Sequence, residues 1–318
     1  MPKSKWNLNT IYISERLQES LRPISRCAMT TVVAPMGYGK TTAVEWYLAE
    51  RAGAEAPYIV RISVYSSNLA IFWKSVQDAF ARAGFAFLRE YDCPTDGASG
   101  GLLIDDVCHA LTGEKSCYIF IDDFHLLTDK RAPGFLCALA GRLPPNVHLI
   151  LASRDLFLPA AELVRLGGKV YQIGTAQLRL NHTELAVYTK RCGTALSDEQ
   201  IDTLLYYSEG WFSAVYLNLR MFSEHGVLPD PNSDISSIFT AAMIDPLPEK
   251  QREFLAVMGL ADEFTVEMAQ FVMADAHAEN LLAALTGQNA FVKRLPDGAT
   301  YRFHHMMKEC ALHTFPSM

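Results

Sequence analysis

The sequence lacks three features that would assign it to common classes of protein. No apolar run approaches the ~20 residues of a membrane-spanning helix, and the polar N-terminal segment has no signal-peptide core. The seven cysteines are scattered without a CxxC pair, which disfavours a zinc site or a disulfide framework. Basic residues are in deficit, since 28 Lys and Arg stand against 35 Asp and Glu. These absences predict a cytoplasmic protein with reduced thiols and no general nucleic-acid surface.

The first half of the chain alternates short apolar segments with helical ones. Buried strands are predicted over residues 29–34, 58–63, 117–121, 147–153 and 169–174. Strands with little polar alternation, separated by helices, are typical of a parallel sheet covered on both faces. Residues 1–176 are therefore predicted to form an α/β domain. Within it, Gly53 is expected to end the first long helix, and residues 92–101, rich in Gly, Pro, Asp and Ser, are expected to form a mobile loop.

Beyond about residue 176 the strand pattern gives way to helices. Asn181 with Glu184, and Ser197 with Gln200, have the spacing of capping boxes and predict two helix starts. Further helices are predicted from near residue 210 and over residues 248–259, 265–273 and 277–285. The tail differs, because FVKRL, PDG and ATYRF indicate a hairpin followed by a helix from His304. We expect a helical domain over residues 177–240 and a winged-helix domain over residues 241–318.

Residues 34–42, APMGYGKTT, match the phosphate-binding P-loop, except that Ala34 replaces its first glycine. Gly37 and Gly39 can adopt positive φ, so that successive amides and the start of the next helix face one anion. Lys40 is predicted to reach the β- and γ-phosphates, and the Thr41 hydroxyl to bind Mg²⁺. The predicted nucleotide-binding residues are Pro35, Met36, Gly37, Tyr38, Gly39, Lys40, Thr41 and Thr42. The alternative is a glycine-rich surface turn, but a strand before it and a helix after it favour the P-loop.

Lys40 is one predicted catalytic residue, and the others lie at the ends of two later strands. Asp122 follows the apolar segment YIFI and is predicted to hold Mg²⁺, while Asp123 is placed to orient an attacking water. Arg154 follows the apolar segment LILAS, and in P-loop ATPases with an extra strand between the two motifs this position faces the γ-phosphate. The alternative for Arg154 is an exposed arginine after a strand.

Taken together, these segments resemble the STAND class of signal-transduction ATPases, and within it the MalT-like branch of large LuxR-family transcriptional regulators. The matching segments follow in family order along nearly the whole chain: APMGYGKTT, IFIDDFHLL, LILASR, LRLNHTE, EGWFSAVYL and QNAFVKRL…YRFHHMMKECA. The resemblance implies a P-loop domain, a helical domain and a winged-helix domain that clamp ATP or ADP with Mg²⁺.

The same resemblance extends the predicted nucleotide site to three distant residues. His304, with His305 as the neighbouring alternative, matches a histidine that reaches the β-phosphate in the closed ADP form; simple helix capping is the other interpretation. Trp211 matches a tryptophan near the base, but Phe212 replaces the family's proline, so Trp211 fits a core position equally well. Arg16 matches an upstream arginine of the family.

The function implied is a slow Mg²⁺-dependent ATPase that works as a switch. ADP would hold the domains closed, and ATP would permit opening and self-association in response to a small-molecule or protein inducer. Family members continue to a C-terminal DNA-binding domain, so this chain is either a fragment or a short natural variant. We expect the fragment, which would reach DNA only through that missing domain, and no membrane partner. Direct DNA binding by residues 240–318 is an alternative, although six Lys and Arg there face ten Asp and Glu. A metabolic P-loop kinase is another, but the sequence offers no recognisable substrate pocket or lid.

Overall fold

The computed structural model describes residues 10–225, 244–245, 247–261, 263–287, 292–294 and 298–303. The chain divides into two compact units, Ile13–Leu178 and a second unit made of Met1–Tyr12 with Arg179–Met318. The division after Leu178 lies two residues from the expected boundary at 176. The expected boundary at 240 stays a prediction. Among the described residues, no helix has both the length and the apolar character to span a bilayer.

The first unit alternates strands and helices as predicted. Its elements in chain order are α1 (Glu15–Leu21), β1 (Met29–Val33), α2 (Lys40–Glu55), β2 (Tyr58–Ser63), α3 (Leu69–Arg82), α4 (Gly97–Leu111), β3 (Cys117–Asp122), α5 (Arg131–Arg142), β4 (Val147–Ser153), α6 (Ala160–Leu166), β5 (Val170–Ile173) and α7 (Thr175–Leu178). The five strands form one parallel sheet in the order β2-β3-β4-β1-β5. The predicted parallel α/β fold is confirmed.

Strand β4 lies between β1, which leads into the P-loop, and β3, which leads into the acidic pair. Val33 is level with Ser153, and Ile121 is level with Leu151, so the ends of all three strands meet at one edge of the sheet. This order is the one in which an extra strand separates the two motifs. It brings the P-loop, Asp122 and Arg154 to the same edge, because all strands run parallel.

Both faces of the sheet are buried, which explains the unbroken apolar runs in β3 and β4. Ile119 and Leu149 belong to the core cluster under α3, α4 and α5. On the opposite face the ring of Tyr118 packs edge-on against Tyr47 of α2, with centroids 6.0 Å apart, and stacks on His148. Helices on both sides therefore hold the sheet edge in place.

Two local expectations for the first unit are wrong. Helix α2 continues through Gly53 to Glu55 and ends where Ala56 has φ 46°. The buried face of that helix outweighs the ~1 kcal/mol that one glycine costs in a helix interior. Residues 92–101 are not a loop throughout, because α4 starts at Gly97 and Asp96 forms a capping box with Ser99. The cap satisfies free amides at the helix start, so glycine-rich sequence is helical there.

The second unit begins with helices and continues with both helices and short strands. Its elements are α8 (His182–Arg191), α9 (Asp198–Ser208), α10 (Phe212–His225), α11 (Glu249–Met258), β6 (Glu263–Thr265), α12 (Val266–Met273), α13 (Ala278–Gly287), β7 (Val292–Arg294) and β8 (Thr300–Phe303). Both predicted capping boxes are confirmed: Asn181 with Glu184 opens α8, and Ser197 with Gln200 opens α9.

The predicted hairpin is confirmed as β7 and β8, which pair antiparallel. The sequence did not indicate β6, which adds a third strand in the order β6-β8-β7. The ring of Phe264 on this strand lies 6.1 Å from that of Phe254 on α11 and 5.2 Å from that of Phe303 on β8. Helices packed on a small antiparallel sheet fit the predicted winged-helix domain. The helix predicted from His304 lies outside the described residues.

Candidate functional site

The P-loop connects β1 to α2 with the backbone shape that the sequence predicts. Gly37 has φ 80° and Gly39 has φ 76°, both in the left-handed region. A Cβ added at Gly39 would meet no atom within 4 Å. Glycine is therefore needed there for its backbone conformation and not for space. The turn ends at the N-terminus of α2, where the backbone amides of the first helical turn and the helix dipole favour an anion.

The ammonium group of Lys40 lies inside the curve of this loop. Its Nζ donates to the carbonyl oxygens of Ala34, at 2.6 Å, and Pro35, at 2.8 Å, and the residue is 8% exposed. Burial lowers the pKa of Lys40 to about 8, and the positive charge of Arg154 acts in the same direction. The carboxylates of Asp123 and Asp122 oppose that shift. The arrangement places one concentrated positive charge at the centre of the loop.

Thr41 and Asp122 come together from two different elements. The Thr41 hydroxyl, in the first turn of α2, donates to Oδ2 of Asp122 at the end of β3 over 2.8 Å. The other carboxylate oxygen, Oδ1, accepts from the backbone N–H of Asp123 at 2.9 Å. Burial raises the pKa of Asp122 despite these hydrogen bonds, which favour the charged form.

The Thr41–Asp122 pair suits Mg²⁺ as a partial ligand set. Both groups offer oxygen, the ligand atom that Mg²⁺ prefers, and one or two protein ligands completed by phosphate and water are its usual coordination. Among the described residues no group of three or more His, Cys, Asp and Glu could hold a metal ion by itself. The residues present therefore fit a magnesium ion that arrives with a polyphosphate.

Asp123 follows directly and has an unusual backbone. Its φ is 54°, a left-handed conformation that aspartate tolerates better than most residues. Its side chain is half exposed at 50%, and its Oδ1 lies 3.9 Å from Nδ1 of His125. The carboxylate is thus open to solvent beside Asp122, as the predicted water-orienting role requires.

His125 is a site residue that the sequence reasoning missed, although it stands inside the segment IFIDDFHLL. Its side chain is 9% exposed, and neither ring nitrogen has a hydrogen-bond partner. Burial lowers the pKa of His125 to about 4, with Arg154 acting in the same direction. The ring is therefore neutral at pH 7 and keeps unused hydrogen-bonding capacity beside Asp123.

Arg154 and Asp155 follow β4 at the same edge. Arg154 is half-buried, and its charge acts on Lys40, His125 and Asp155, which places it within the cluster. Asp155, also missed from sequence, has a buried Oδ1 without a partner, and burial raises the pKa of its carboxyl group. Because Asp155 directly follows Arg154, its position at this strand end was visible in the sequence, whereas its burial was not.

The structure gathers Lys40, Thr41, Asp122, Asp123 and Arg154 at one sheet edge. Of the flanking predicted residues, Pro35 and Tyr38 are buried, and Thr42 is exposed in the first turn of α2. Met36 is half-buried within the turn. All of their nucleotide contacts stay predictions.

The structure does not test the residues that were predicted from the resemblance alone. The Arg16 guanidinium donates to the carbonyl oxygen of Ala176 at 3.0 Å within the first unit. Trp211 is 5% exposed and buried within the second unit. His304 and His305 lie outside the described residues. Their roles toward nucleotide stay predictions.

Comparison with protein families and sequences confirms the resemblance stated from the motifs. The MalT winged helix domain family matches residues 240–316. The chain is 20% identical to the HTH-type transcriptional regulator MalT of Vibrio campbellii (strain ATCC BAA-1116) over 96% of its own length and 35% of that protein. It is 22% identical to MalT of Yersinia pestis (strain Pestoides F) over 93% of its length and 34% of that protein. The chain thus spans about a third of the length of these curated relatives.

Solved structures support the fold. The Walker-type ATPase PABY2304 of Pyrococcus abyssi is similar over 98% of this chain and 99% of that chain, with a TM-score of 0.67 and 11% identity. The ORC2 protein of Aeropyrum pernix, determined as ADPNP–ADP complexes, is similar over 95% and 93%, with a TM-score of 0.51 and 13% identity. At such identities the similarity establishes the P-loop NTPase fold and nothing finer.

Proposed function

We propose that this chain is the nucleotide switch of a MalT-like transcriptional regulator, binding ATP or ADP with Mg²⁺ at the P-loop. One observation carries the proposal: Lys40 is held inside a loop with two left-handed glycines, next to the Thr41–Asp122 pair. A surface turn has no reason to bury an ammonium group, which costs solvation free energy. A polyphosphate site needs that charge at that place.

Each residue has a role that its position supports. The amides from Gly37 to Thr41 bind phosphate oxygens, and the Lys40 ammonium exchanges its carbonyl partners for the β- and γ-phosphates. Thr41 and Asp122 provide oxygen ligands for Mg²⁺, which when bound neutralises charge on the phosphates. Asp123 orients the attacking water through its exposed carboxylate. His125, neutral and without a partner, can donate or accept a hydrogen bond beside Asp123.

The switch requires a contact that differs between the two nucleotides, because a ligand bound equally by both states shifts no equilibrium. Arg154, at the end of β4, is suited to sense the γ-phosphate, and the predicted His304 contact to the β-phosphate would favour the ADP form. ATP then permits opening and self-association, and hydrolysis is slow. DNA binding is assigned in this proposal to a domain outside the 318 residues, and the inducer is a small molecule or protein.

The first test is direct. Purified protein is denatured, the released nucleotide is identified by chromatography, and binding of ADP and ATP with Mg²⁺ is measured by calorimetry on the emptied protein. We expect bound ADP, and a Lys40→Met variant should lose about 10- to 100-fold in affinity, the value of a charged hydrogen bond. Lys74→Met is the matched control, because Lys74 is a 65% exposed lysine on α3.

Two results would reject the proposal. Equal affinities of the Lys40→Met and Lys74→Met variants would show that the loop does not bind phosphate. Turnover of ATP into a phosphorylated small molecule would favour the metabolic kinase instead. The switch itself is tested by measuring the molar mass and the protease sensitivity of the protein with ADP and with ATP. If both measurements are identical for the two nucleotides, nucleotide binding stands but the proposed switch is rejected.

A further inference from the structure

The core of the first unit contains a pocket whose lining includes no residue of the P-loop. Its volume is about 420 Å³, and it lies between β2, β3 and β4 on one side and α3, α4 and α5 on the other. This volume falls within the ~300–1,000 Å³ that is usual for small-ligand pockets. Its walls are almost wholly apolar: they include Phe72, Trp73, Phe80, Leu103, Ile121 and Phe135.

A pocket of this composition and depth is unusual in a protein core. Val76, Phe80, Leu103 and Leu139 line it and are also members of the buried core cluster, so it reaches into the core. Interiors are packed as densely as organic crystals, and voids in them are few and small. An apolar void destabilises a fold in proportion to its volume. Water fills a void well only where polar partners exist. This pocket is partly open to solvent but offers water few polar partners, so an apolar occupant would stabilise it.

The sequence explains why the space is open. Gly100 and Gly101 in α4 line the pocket and bring no side chain into it. A Cβ added at Gly101 would meet no atom within 4 Å, and one added at the buried Gly100 would meet the ring of Phe135 at 3.5 Å. The rim is formed by the exposed residues Thr95 to Gly97 before and at the start of α4. The hydrogen bonds from Gln77 Nε2 to the carbonyl oxygens of Leu88 and Tyr91 fix the segment that leads to this rim.

The polar groups at the rim indicate the chemistry of the occupant. Arg131 and Arg142 line the pocket, and both are exposed. Arg131 pairs with Asp129 at 2.7 Å, and Arg142 pairs with Asp105 at 2.9 Å. The side chains of Arg142 and Asp105 are both exposed, and such a pair contributes little, so Arg142 can exchange its partner for another anion. The side chain of Asp129 is only 19% exposed and accepts from two nitrogens of the Arg131 guanidinium, so that pair stays in place. The carboxylate at the rim, Asp96, is already used in capping α4.

We propose that this pocket binds a small amphipathic molecule with an apolar body and an anionic end group, of the fatty-acid class. The apolar part lies against the aromatic side chains between α3 and α5, and the anionic group lies at Arg142. The site is independent of the nucleotide site, because none of its lining residues belongs to the P-loop or to the acidic pair.

Decanoate is the probe, and decan-1-ol is its uncharged match. We expect saturable binding of decanoate by calorimetry. Gly101→Leu should weaken it about tenfold or more by filling the space. Gly53→Leu is the control, because Gly53 also lies in a helix with open space around it but is not in the pocket lining. Arg142→Gln should weaken decanoate binding about threefold and leave decan-1-ol binding unchanged. Arg89→Gln is the control, because Arg89 is exposed and lies outside the lining.

A second measurement needs no variant. Cys93 lines the pocket, whereas Cys27 is equally half-buried but lies elsewhere in the same unit. Decanoate should slow alkylation of Cys93 on the native full chain, measured by peptide mass spectrometry, and leave Cys27 unaffected. Equal rates at Cys93 with and without decanoate, or equal protection of both thiols, would overturn the proposal. Equal binding of decanoate to the Gly101→Leu and Gly53→Leu proteins would overturn it too.

Discussion

Gly210, at the start of the turn before α10, gives the sharpest test of the packing described above. It has φ 76°, and a Cβ added there would lie well under 3.0 Å from the carbonyl oxygen of Leu180 and 3.1 Å from two further backbone atoms of that residue. The same two segments are joined by a hydrogen bond from the Leu180 N–H to the Gly210 carbonyl oxygen at 2.9 Å. Gly210→Ala must therefore push two backbone segments apart.

The magnitude follows from comparison with a second glycine of the same unit. Gly193 has φ 97° but open space around an added Cβ. Gly193→Ala should lower the free energy of unfolding by ~1–2 kcal/mol, because alanine is disfavoured in the left-handed conformation. Alanine also lowers the entropy of the unfolded chain, which offsets ~0.4–1 kcal/mol of this loss. Gly210→Ala adds the lost hydrogen bond, ~1 kcal/mol, and the strain of the displaced backbone. We expect a total of about 3–5 kcal/mol, a value reserved for severe packing defects.

Hydrogen exchange read by mass spectrometry is the suitable assay, since it reports local stability without assuming that both units unfold together. Slowly exchanging amides of α8, α9 and α10 should exchange about 100-fold faster or more in Gly210→Ala, given ~1.4 kcal/mol per tenfold. In Gly193→Ala the increase should stay below about tenfold, and peptides from the first unit should not change in either variant. Equal effects of the two substitutions would refute the close approach of Gly210 to Leu180.

Three further predictions concern the first unit. Asp122→Asn should weaken ATP binding in the presence of Mg²⁺ more than in its absence, since a neutral amide is a poorer ligand for Mg²⁺. Calorimetry with Mg²⁺ and with EDTA measures the two affinities, and an equal loss of affinity in both would contradict this prediction. Gly39→Ala should lower the melting temperature by about 2–6 °C, because it adds ~1–2 kcal/mol of left-handed strain to a unit of this size. Gly53→Ala, within α2, should raise the melting temperature, because alanine favours a helix interior more than glycine does. His148 is buried with Nδ1 2.9 Å from the Cys27 carbonyl oxygen, and burial lowers its pKa below the ordinary 6.5. The unfolded chain therefore binds the proton more readily, so the stability that His148 contributes is full above pH 6.5 and falls below it by up to ~1.4 kcal/mol per pH unit. The urea midpoint at pH 5.5 should lie below that at pH 7.5, and the two midpoints should move closer together in His148→Gln. An unchanged pH dependence in that variant would assign the effect to other groups.

The sequence was sufficient to predict those features that depend on residues close together in the chain. The capping boxes at Asn181 and Ser197 are formed as predicted because each cap needs only residues within one helical turn. The parallel sheet was predictable because strands buried on both faces have no polar alternation. The P-loop turn was predictable because positive φ at two positions demands glycine.

The failures have physical reasons as well. Gly53 does not end α2, because the buried face of that helix outweighs one unfavourable residue. Strand β6 has only three residues, too few for an alternation pattern. His125 was missed because its burial beside Asp123 and the action of Arg154 on it depend on tertiary structure. Asp155 directly follows Arg154, so its place after β4 was visible in the sequence, but the burial of its carboxyl group was not. The contributions of Trp211 and His304 to the nucleotide site stay predictions for a related reason, since they depend on parts of the chain far apart in sequence.

The left-handed turn at Asp123 decides how its chemistry can be probed. Replacing that residue by alanine removes a carboxylate and also forces an unsuitable side chain into the reversed backbone, so a loss of activity would have two causes. Asparagine keeps the shape and tolerates the same turn, and only the charge disappears. The acid at position 123 therefore also meets a backbone requirement: aspartate is among the few residues that adopt this left-handed conformation readily, and its predicted role toward water is separate from that requirement.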